Sequence, residues 1–468
     1  MNYAITFASV AGVALAVASA LAPTSVYAQA NVTGEWNRMP YLPMVPIHNV
    51  YLPNGKLMFF GKNTTQTLWD PITGAVSNLP NPGYDLFCSG HTYLNDSTVL
   101  VPGGHIADYV GLAKTSLYNP ATNSWSPVPD MNAGRWYPTA TTLPNGDALV
   151  VAGQIDTTVG MNTLPQVYQK ATNTWRNLTT AQLYQPMYPM MFLAPNGRVI
   201  DVGPSPFTRW LDTSGTGSWA GITNRTTGWR DYGSAVMFDT GKIMIAGGGD
   251  PPVKSVEILD LNKSPLQWRP LQSMSIERRH LNLTLLPDGQ VFANGGTRGP
   301  GHNDETAVVY SSEMWSPETE LWKTMAPATV PRIYHSSSVL LPDGRVVTTG
   351  GDSYPEIEVF SPPYLFKGAR PTMSTVPTQI QYGQRFAVQS PESANIVKVT
   401  LIRLTAVTHA INMNQRLNKL SFAVTGTGSV LVTPPGNANL APPGLYMLFL
   451  INAVGVPSIG SIVQLGQG

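Results

Sequence analysis

Side chains that can bind a metal, titrate or carry an unpaired electron recur about every 50 residues along this chain. Phenolate and imidazole groups together suit Cu(II), which prefers tetragonal nitrogen and oxygen ligation, and they also suit Fe(III). The corresponding residue of the first repeat, Pro46, has no such chemistry. A metal or redox site is therefore expected wherever the repeats bring these side chains together. The recurring residues are Cys88, Tyr137, Tyr188, Tyr232, His280 and His335.

Two pairs of neighbours extend this set. Cys88 and Tyr137 belong to consecutive repeats, so their side chains can touch if consecutive repeats pack side by side. Tyr334 directly precedes His335, and although neighbours in a regular strand face opposite ways, residues at the bent start of a strand can both reach one ion. Cys88 is also the single cysteine of the chain, which excludes an intrachain disulfide and leaves the thiol to be explained.

The repeats themselves predict β-hairpins. Each has a strand, a turn of the type Leu-Pro-Asn/Asp-Gly and a second strand that often ends in Gly-Gly. Most continue into an aromatic strand and then a tryptophan, as in LYNPATNSW, which ends at Trp125. Four short strands in about 50 residues are typical of a kelch blade, so seven repeats predict a seven-bladed propeller. The seven copies are YLPNGKLMFFGK, TYLNDSTVLVPGG, TTLPNGDALVVAG, MFLAPNGRVIDVGP, AVMFDTGKIMIAGG, TLLPDGQVFANGG and VLLPDGRVVTTGG.

The two ends of the repeat region predict how the propeller closes and which domain comes after it. The last repeat lacks its tryptophan strand, and GEWNRMPYLP around Trp36 supplies one, so we expect contact between the segments around Trp36 and Val359. After the repeats, FAVQS, KVTLIRL, SFAVTG, VLVTP and LYMLFLINA read as short strands. We therefore predict an all-β chain with a kelch-like propeller over residues 31–364 and a small immunoglobulin-like β-sandwich over residues 365–468.

Composition limits the function classes. Hydrophobic residues make up 43% of the 468 residues and there are 11 tryptophans, which excludes a disordered chain. The 28 Lys and Arg residues nearly cancel the 27 Asp and Glu residues and form no basic run, so nucleic acid is not an expected partner and the substrate is expected to be neutral or small.

The N-terminus predicts export. The segment 4–22 is mostly apolar or small, and small residues allow cleavage after Ala28 or Ala30. Residues 1–30 are therefore expected to be a signal peptide, with an uncleaved membrane anchor as the alternative. We expect the rest to be a secreted, periplasmic or cell-surface protein that is monomeric and makes no membrane contact once the signal peptide is removed.

Four segments in order resemble the copper radical oxidases of the galactose oxidase and glyoxal oxidase family. Each segment alone has low specificity, but the four together, on a seven-repeat pattern followed by a β domain, have high specificity. The resemblance continues into LYMLFLINAVGVPSIGS and so covers nearly all of the chain after the signal peptide. The four segments are FCSGH at 87–91, GRWYPT at 134–139, PRIYHSSSVLLPDGR at 331–345 and THAINMNQR at 408–416.

The resemblance implies roles for five residues. Tyr137 would be an equatorial copper ligand, joined by a thioether to Cys88, and would carry the radical of the oxidised enzyme. His335 and His409 would be the equatorial imidazole ligands, and Tyr334 the axial tyrosine that takes the substrate proton. His409 would come from a loop of the terminal domain that reaches up the propeller axis. The implied cofactors are one copper ion and the Cys88–Tyr137 cross-link.

The implied reaction is the oxidation of a small primary alcohol or aldehyde by O2 to an aldehyde or acid and H2O2, with saccharide ends as further possible substrates. The substrate loses two electrons while the Cu(II)/Cu(I) couple accepts one, so a tyrosyl radical can store the second. A phenol, with a reference pKa of about 10, becomes a base once a metal stabilises its anion. An alcohol bound to the metal is itself acidified.

One departure and two alternatives remain open. Galactose oxidase stacks a tryptophan on the cross-linked tyrosine, whereas Ile155 stands at about that position here, so Trp136 or Trp210 would have to shield the ring. His280 is expected to line the pocket or support the ligands and not to bind the metal. The alternatives are a non-catalytic kelch propeller that binds a glycan or protein, and a non-haem iron site with two tyrosines and two histidines.

Overall fold

The computed structural model describes residues 27–426 and 428–466. Residues 1–26 of the predicted signal peptide lie outside this part, and its cleavage stays a prediction. The positions considered for cleavage, Ala28 and Ala30, fall in a short helix, Tyr27–Thr33. Among the described residues, no helix has the length and hydropathy needed to span a bilayer.

Seven four-stranded antiparallel units form the blades of a propeller, which confirms the predicted fold class. The Asn-Gly and Asp-Gly turns join the first two strands of a blade, and their glycines adopt the left-handed backbone that such turns need, as at Gly146 with φ of 86°. The strands of blades 1 to 3 are His48–Tyr51, Leu57–Phe60, Gln66–Trp69 and Val76–Asn78; Thr92–Tyr93, Val99–Pro102, Thr115–Asn119 and Ser124–Pro127; and Trp136–Thr142, Ala148–Asp156, Gln166–Gln169 and Thr174–Asn177.

Blades 4 to 6 repeat this order, and blade 7 takes its fourth strand from the N-terminal side. Two short hairpin elements lie outside the regular pattern: Gly160–Met161 pairs with the second strand of blade 3, and His105–Ala107 pairs with Val110–Gly111. The strands of blades 4 to 7 are Met191–Leu193, Val199–Asp201, Phe207–Asp212 and Ser218–Asn224; Ser234–Asp239, Lys242–Ala246, Val256–Asp260 and Trp268–Pro270; Asn282–Leu285, Val291–Asn294, Ser312–Trp315 and Trp322–Met325; and Ser336–Leu340, Val346–Gly350, Glu358–Ser361 and Glu35–Arg38.

The N-terminal strand closes the last blade. Its antiparallel register places Trp36 opposite Phe360 and Asn37 opposite Val359. The Trp36 indole N–H donates to the carbonyl of Ala326 at 2.9 Å, and its ring lies 5.1 Å from the Phe360 ring. The strand therefore pairs an edge that blade 7 would otherwise expose.

The C-terminal part is a nearly closed β-sandwich. Leu417–Val424 belongs to both of its sheets, because its first half pairs with Ile396–Arg403 and its second half with Ser429–Thr433. The sandwich also contains a short 3-10 helix at Ser393–Asn395. Two others lie in blade 6 at Glu305–Ala307 and directly after blade 7 at Pro363–Phe366. The remaining strands of the sandwich are Gln379–Ile380, Phe386–Gln389, Gly444–Asn452 and Ser461–Leu465.

One hairpin leaves the sandwich and enters the propeller. Its strands are Ala406–Thr408 and Ile411–Asn412, and the first of them pairs with His48–Val50 at the inner edge of blade 1. The hairpin therefore extends a blade sheet to six strands and carries residues of the terminal domain to the propeller axis.

We expect Trp36→Ala to lower the free energy of unfolding by about 3 kcal/mol, because truncating a large packed side chain leaves a cavity. Here it also removes the bond to Ala326. Denaturant unfolding of the variant and the parent measures the difference. The matched control is Trp229→Ala, since Trp229 is 52% exposed and should change stability by only about 0.5 kcal/mol. Equal losses in the two variants would contradict a closing role for the N-terminal strand.

Candidate metal centre

Six of the repeated residues share an unusual backbone conformation. We call them the strand-start residues, because each lies at or just before the first strand of its blade. Their φ angles lie between 47° and 67°, in the left-handed region that non-glycine residues rarely adopt. Such backbone costs about 1–3 kcal/mol per residue and is concentrated at functional sites. The strand-start residues are Cys88, Tyr137, Tyr188, Tyr232, His280 and His335.

Three donor atoms surround the hydroxyl of Tyr137, which is itself a fourth donor, and the four come from three parts of the fold. The Tyr334 hydroxyl lies 2.5 Å from it. Nε2 of His409 lies 2.8 Å from it, and Nε2 of His335 lies 3.3 Å from it. Blade 3 supplies the first phenol, blade 7 supplies a phenol and an imidazole, and the terminal-domain hairpin supplies the second imidazole.

Each of the two histidines is oriented through its other ring nitrogen. Nδ1 of His335 is hydrogen-bonded to the carboxylate of Asp352. Nδ1 of His409 lies 2.6 Å from the Thr408 hydroxyl. Metal-binding histidines usually use their second nitrogen in this way, which fixes the tautomer. With the proton on Nδ1, both Nε2 atoms present lone pairs to the phenols.

The tip of the hairpin that carries His409 is held in place from several sides. His409 and Ala410 have φ angles of 50° and 62°, a pair of left-handed residues that turns of this kind usually fill with Asn-Gly. The Ala410 N–H donates to the carbonyl of Ser336 at 2.9 Å. The Ser234 hydroxyl donates to the carbonyl of Ala410 at 2.8 Å. Blades 5 and 7 therefore fix the tip.

Burial sets the electrostatics of the four donors. Burial, together with nearby histidines such as His335, holds the pKa of His409 well below its usual value. Burial likewise lowers the pKa of His335. Neutral imidazole is the form that binds metals. Burial raises the pKa of Tyr137 and of Tyr334, so their phenolate forms require a cation close by.

The donor set fits a copper ion. Two imidazoles and two phenols provide the nitrogen and oxygen ligation that Cu(II) prefers. In the described part of the chain, no three His, Cys, Asp or Glu side chains are grouped as a metal site, so a metal here depends on the phenol oxygens. The same donors also suit Fe(III), the metal of the alternative non-haem iron site.

Cys88 lies against Tyr137. The Tyr137 N–H donates to the Cys88 carbonyl at 2.8 Å, and the two side chains pack in the same buried cluster. Burial raises the pKa of the thiol, so it is a poor nucleophile and metal ligand. The chemically relevant feature of the Cys88 thiol is therefore its position beside the Tyr137 phenol.

Trp136, and not Ile155 or Trp210, stacks on the Tyr137 ring. The Trp136 and Tyr137 ring centroids are 4.0 Å apart and the planes differ by 12°. The Trp136 indole N–H donates to Nδ1 of His105 at 3.2 Å, which fixes the orientation of the indole. Tyr188 also stacks on Tyr137, at 4.5 Å and 18°. Aromatic rings thus shield the central phenol.

A cavity of about 430 Å³ opens onto Tyr137 and His409. Its wall is largely apolar, and Gln154 and Asp231 are the polar side chains other than tyrosine and histidine that line it among the described residues. Burial raises the pKa of Asp231. The apolar part of the wall includes Met161, Pro186, Met187, Met190, Pro204 and Ile411.

Known proteins share this architecture. The family model described as "Glyoxal oxidase N-terminus" matches residues 250–364, and "Galactose oxidase-like, Early set domain" matches residues 370–465. A galactose oxidase from Gibberella zeae is 29% identical over 93% of this chain and 71% of its own length. The "Aldehyde oxidase GLOX" of Vitis pseudoreticulata is 27% identical over 81% of this chain and 82% of its own.

A solved structure agrees over almost the whole chain. A fungal alcohol oxidase in complex with copper superposes with a TM-score of 0.85 and 27% identity, over 93% of this chain and 100% of that one. This chain is similar to the galactose oxidase and glyoxal oxidase family along nearly its whole length. The two matched regions are the last part of the propeller and the terminal sandwich. They contain Tyr334, His335 and His409, whereas Tyr137 lies outside them.

Two other strand-start residues lie beside the centre without joining the four donors. The Tyr232 ring lies 5.6 Å from the Tyr334 ring and lines the cavity. The His280 ring lies 5.4 Å from the Tyr334 ring, and its buried Nε2 has no hydrogen-bond partner. His280 is not among the residues that line the cavity; it lies against Tyr232 and Tyr334.

Sequence reasoning missed four buried arginines that support the centre. Each donates from Nη1 to a backbone carbonyl near the end of the second strand of its own blade, at distances of 2.6 to 3.2 Å. The repeated pattern Arg-x-Tyr/His ahead of the first strand was the available signal. The arginines and their acceptors are Arg135 with Ala152, Arg230 with Gly247, Arg278 with Gly295 and Arg332 with Gly350.

Blade 7 departs from that arginine pattern by one residue. Arg135 stands two residues before Tyr137, whereas Arg332 stands three residues before His335. The additional residue lets blade 7 present Tyr334 as well as His335, and the two rings lie 3.8 Å apart. A one-residue insertion thus gives one blade two donors.

We expect His409→Ala to weaken copper binding by at least roughly 100-fold, because losing even a supporting partner of a metal ligand typically costs 10–100-fold. Titration against a competing chelator, with Cu(II) electron paramagnetic resonance, measures the change. The matched control is His302→Ala, since His302 is exposed and supplies none of the four donors. Copper affinity that is equal in the two variants would count against this donor set.

Proposed function

We propose that this protein is an exported copper radical oxidase that oxidises a small primary alcohol or aldehyde. An alcohol and O2 would give an aldehyde and H2O2. The observation that carries the proposal is the convergence of Tyr334, His335 and His409 on the Tyr137 hydroxyl, with the single cysteine beside it. Export rests on the apolar segment 4–22 and the cleavage positions that come after it.

Tyr137, Tyr334, His335 and His409 would hold the copper. When bound, the ion would polarise the substrate oxygen and accept one electron. The Tyr334 hydroxyl is 2.5 Å from that of Tyr137. In its phenolate form, Tyr334 would accept the hydroxyl proton of the substrate. The two imidazoles would donate their Nδ1 protons to Asp352 and Thr408. Burial lowers the pKa of both rings, so they would stay neutral and take no part in proton transfer.

The second electron would be stored on Tyr137 once a thioether joins its ring to Cys88. Sulfur donates electron density to the ring and makes its oxidation easier. Trp136 and Tyr188, stacked at 4.0 and 4.5 Å, would keep water and reductants from that ring. Burial of the ring, which is 3% exposed, supports the same protection.

The cavity favours an uncharged substrate with an alkyl or aryl group. Methionine and proline form much of its wall, and apolar groups gain about 0.8 kcal/mol per buried methylene. Among the described residues that line it, none carries a permanent positive charge, so a carboxylate substrate lacks a counter-charge. Asp231 and Gln154 supply too few polar groups to bind most hydroxyls of a sugar ring.

The thioether is tested by mass. Protein prepared without copper, then loaded with copper in air and digested with trypsin, should show the Cys88 and Tyr137 peptides joined, with loss of two hydrogens. Cys88→Ser, the matched control, should bind copper but form no link and no stable radical signal. A copper-loaded, air-exposed protein with a free thiol would contradict the cross-link. Preference for iron, or no tight metal at all, would favour one of the two alternatives.

The substrate class is tested by kinetics. We expect kcat/KM to rise about fourfold per methylene along a series of primary alkanols until the cavity is filled. Benzyl alcohol should be a better substrate than galactose. Met187→Gln, which is nearly isosteric, should lower kcat/KM severalfold for benzyl alcohol and leave ethanol almost unchanged. Galactose oxidised faster than every alkanol would refute this substrate class.

A further inference from the structure

Three pairs of strand-start residues in neighbouring blades are joined by the same backbone hydrogen bond. The Tyr137 N–H donates to the Cys88 carbonyl at 2.8 Å, and the Tyr188 N–H donates to the Tyr137 carbonyl at 2.9 Å. The His280 N–H donates in the same way to the Tyr232 carbonyl at 2.7 Å. At these three junctions, each residue is therefore positioned by the backbone of the blade before it.

The junction between blades 1 and 2 breaks this pattern at Cys88. By analogy, the Cys88 N–H should donate to the carbonyl of Pro46, but that carbonyl accepts from the Thr349 hydroxyl at 3.1 Å. The Cys88 N–H instead donates to Nε2 of His48 at 3.1 Å. A side chain thus takes the place of a backbone acceptor at Cys88, one of the two strand-start residues proposed to share the covalent bond.

The His48 imidazole is itself firmly held. It is fully buried, stacked on Phe60 at 4.4 Å and 8°, and lies on a strand that pairs with the hairpin carrying His409. Because Nε2 accepts from Cys88, the ring proton is on Nδ1, which lies 3.3 Å from Nε2 of His91. The contact with His91 therefore selects the tautomer that can accept from Cys88.

We infer that His48 is a positioning residue for Cys88, which it holds in the conformation from which the thiol is joined to the Tyr137 ring. Cys88 has a φ of 62°, and its N–H and carbonyl are bonded to blades 1 and 3 respectively. Small displacements of reacting atoms have large effects on rate, about 100-fold for 1 Å. This inference rests on the proposed function, because the placement of the thiol matters to catalysis only if the cross-link forms.

The step that His48 would assist is an oxidative coupling. The S–H bond of Cys88 and one ring C–H bond of Tyr137 break, and one S–C bond forms. Two protons and two electrons leave the protein, and O2 takes them to give H2O2, with copper bound at the centre. The rate depends on how the sulfur is held against the ring, which is the variable that His48 controls.

Two amide replacements test the hydrogen-bond acceptor of His48 separately from the packing of its imidazole ring. The amide oxygen of His48→Gln can reach the position of Nε2, whereas the amide of His48→Asn reaches only the position of Nδ1. Both variants lose the stacking on Phe60. Each is prepared without copper, loaded with copper in air, and followed by mass spectrometry for the loss of two hydrogens from the Cys88 and Tyr137 peptides.

We expect cross-linking in His48→Gln at a rate within a few-fold of the parent, and in His48→Asn at least roughly tenfold slower. Copper affinity, measured by chelator competition, should be the same in both. An unchanged rate in His48→Asn, or equal slowing in both variants, would overturn the role of the acceptor. A parent protein that loses no hydrogens would contradict the cross-link itself, and is thereby distinguished from failure of the His48 inference.

A third variant keeps the test decisive if the His48 variants do not fold. His91→Leu leaves His48 and its stacking on Phe60 in place but removes the acceptor for the Nδ1 proton. The proton can then move to Nε2, which removes the acceptor of the Cys88 N–H. Slower cross-linking with unchanged thermal unfolding supports the inference, and an unchanged rate overturns it.

Discussion

The left-handed backbone at the starts of the blades is the constraint on which the centre depends. Six non-glycine residues share it, at a cost of about 1–3 kcal/mol each. Regular strands would send neighbouring side chains to opposite faces. Here Trp136 and Tyr137 stack at 4.0 Å, and Tyr334 and His335 at 3.8 Å, because the second residue of each pair has a φ near 66°. The bend thus converts strand neighbours into contacting partners.

The centre also requires both domains. The propeller supplies three of the four donors, and the hairpin of the sandwich supplies His409, whose tip bonds to Ser234 and Ser336. The hairpin is at the same time a strand of blade 1, paired with His48–Val50. Docking of the two domains and assembly of the donor set are therefore a single structural event.

Repetition explains how much of the fold and of the centre could be predicted. Because the repeats align on their Asn-Gly and Asp-Gly turns, equivalent positions such as Cys88, Tyr137 and His335 can be identified before any coordinates are known. Side chains outside the repeat alignment cannot be identified in this way. An example is Asp352, which is hydrogen-bonded to His335. The sequence offers both Trp136 and Trp210 as the residue that shields Tyr137 but does not decide between them, since an ordinary strand would turn Trp136 away from Tyr137. The buried arginines were readable as a motif, but their carbonyl acceptors were not.

Charge balance explains why a metal centre can lie under an apolar pocket. A dication buried without compensation would be strongly unfavourable. In the proposed centre, before Tyr137 is oxidised, the phenolates of Tyr137 and Tyr334 would cancel the charge of Cu(II), and the two imidazoles would be neutral because burial lowers their pKa. The copper ion and its four ligands together would then carry no net charge, and the centre would need no further counter-ion from the cavity wall. That wall can then consist of methionine, proline and tyrosine, and the affinity for a substrate can come from apolar contact.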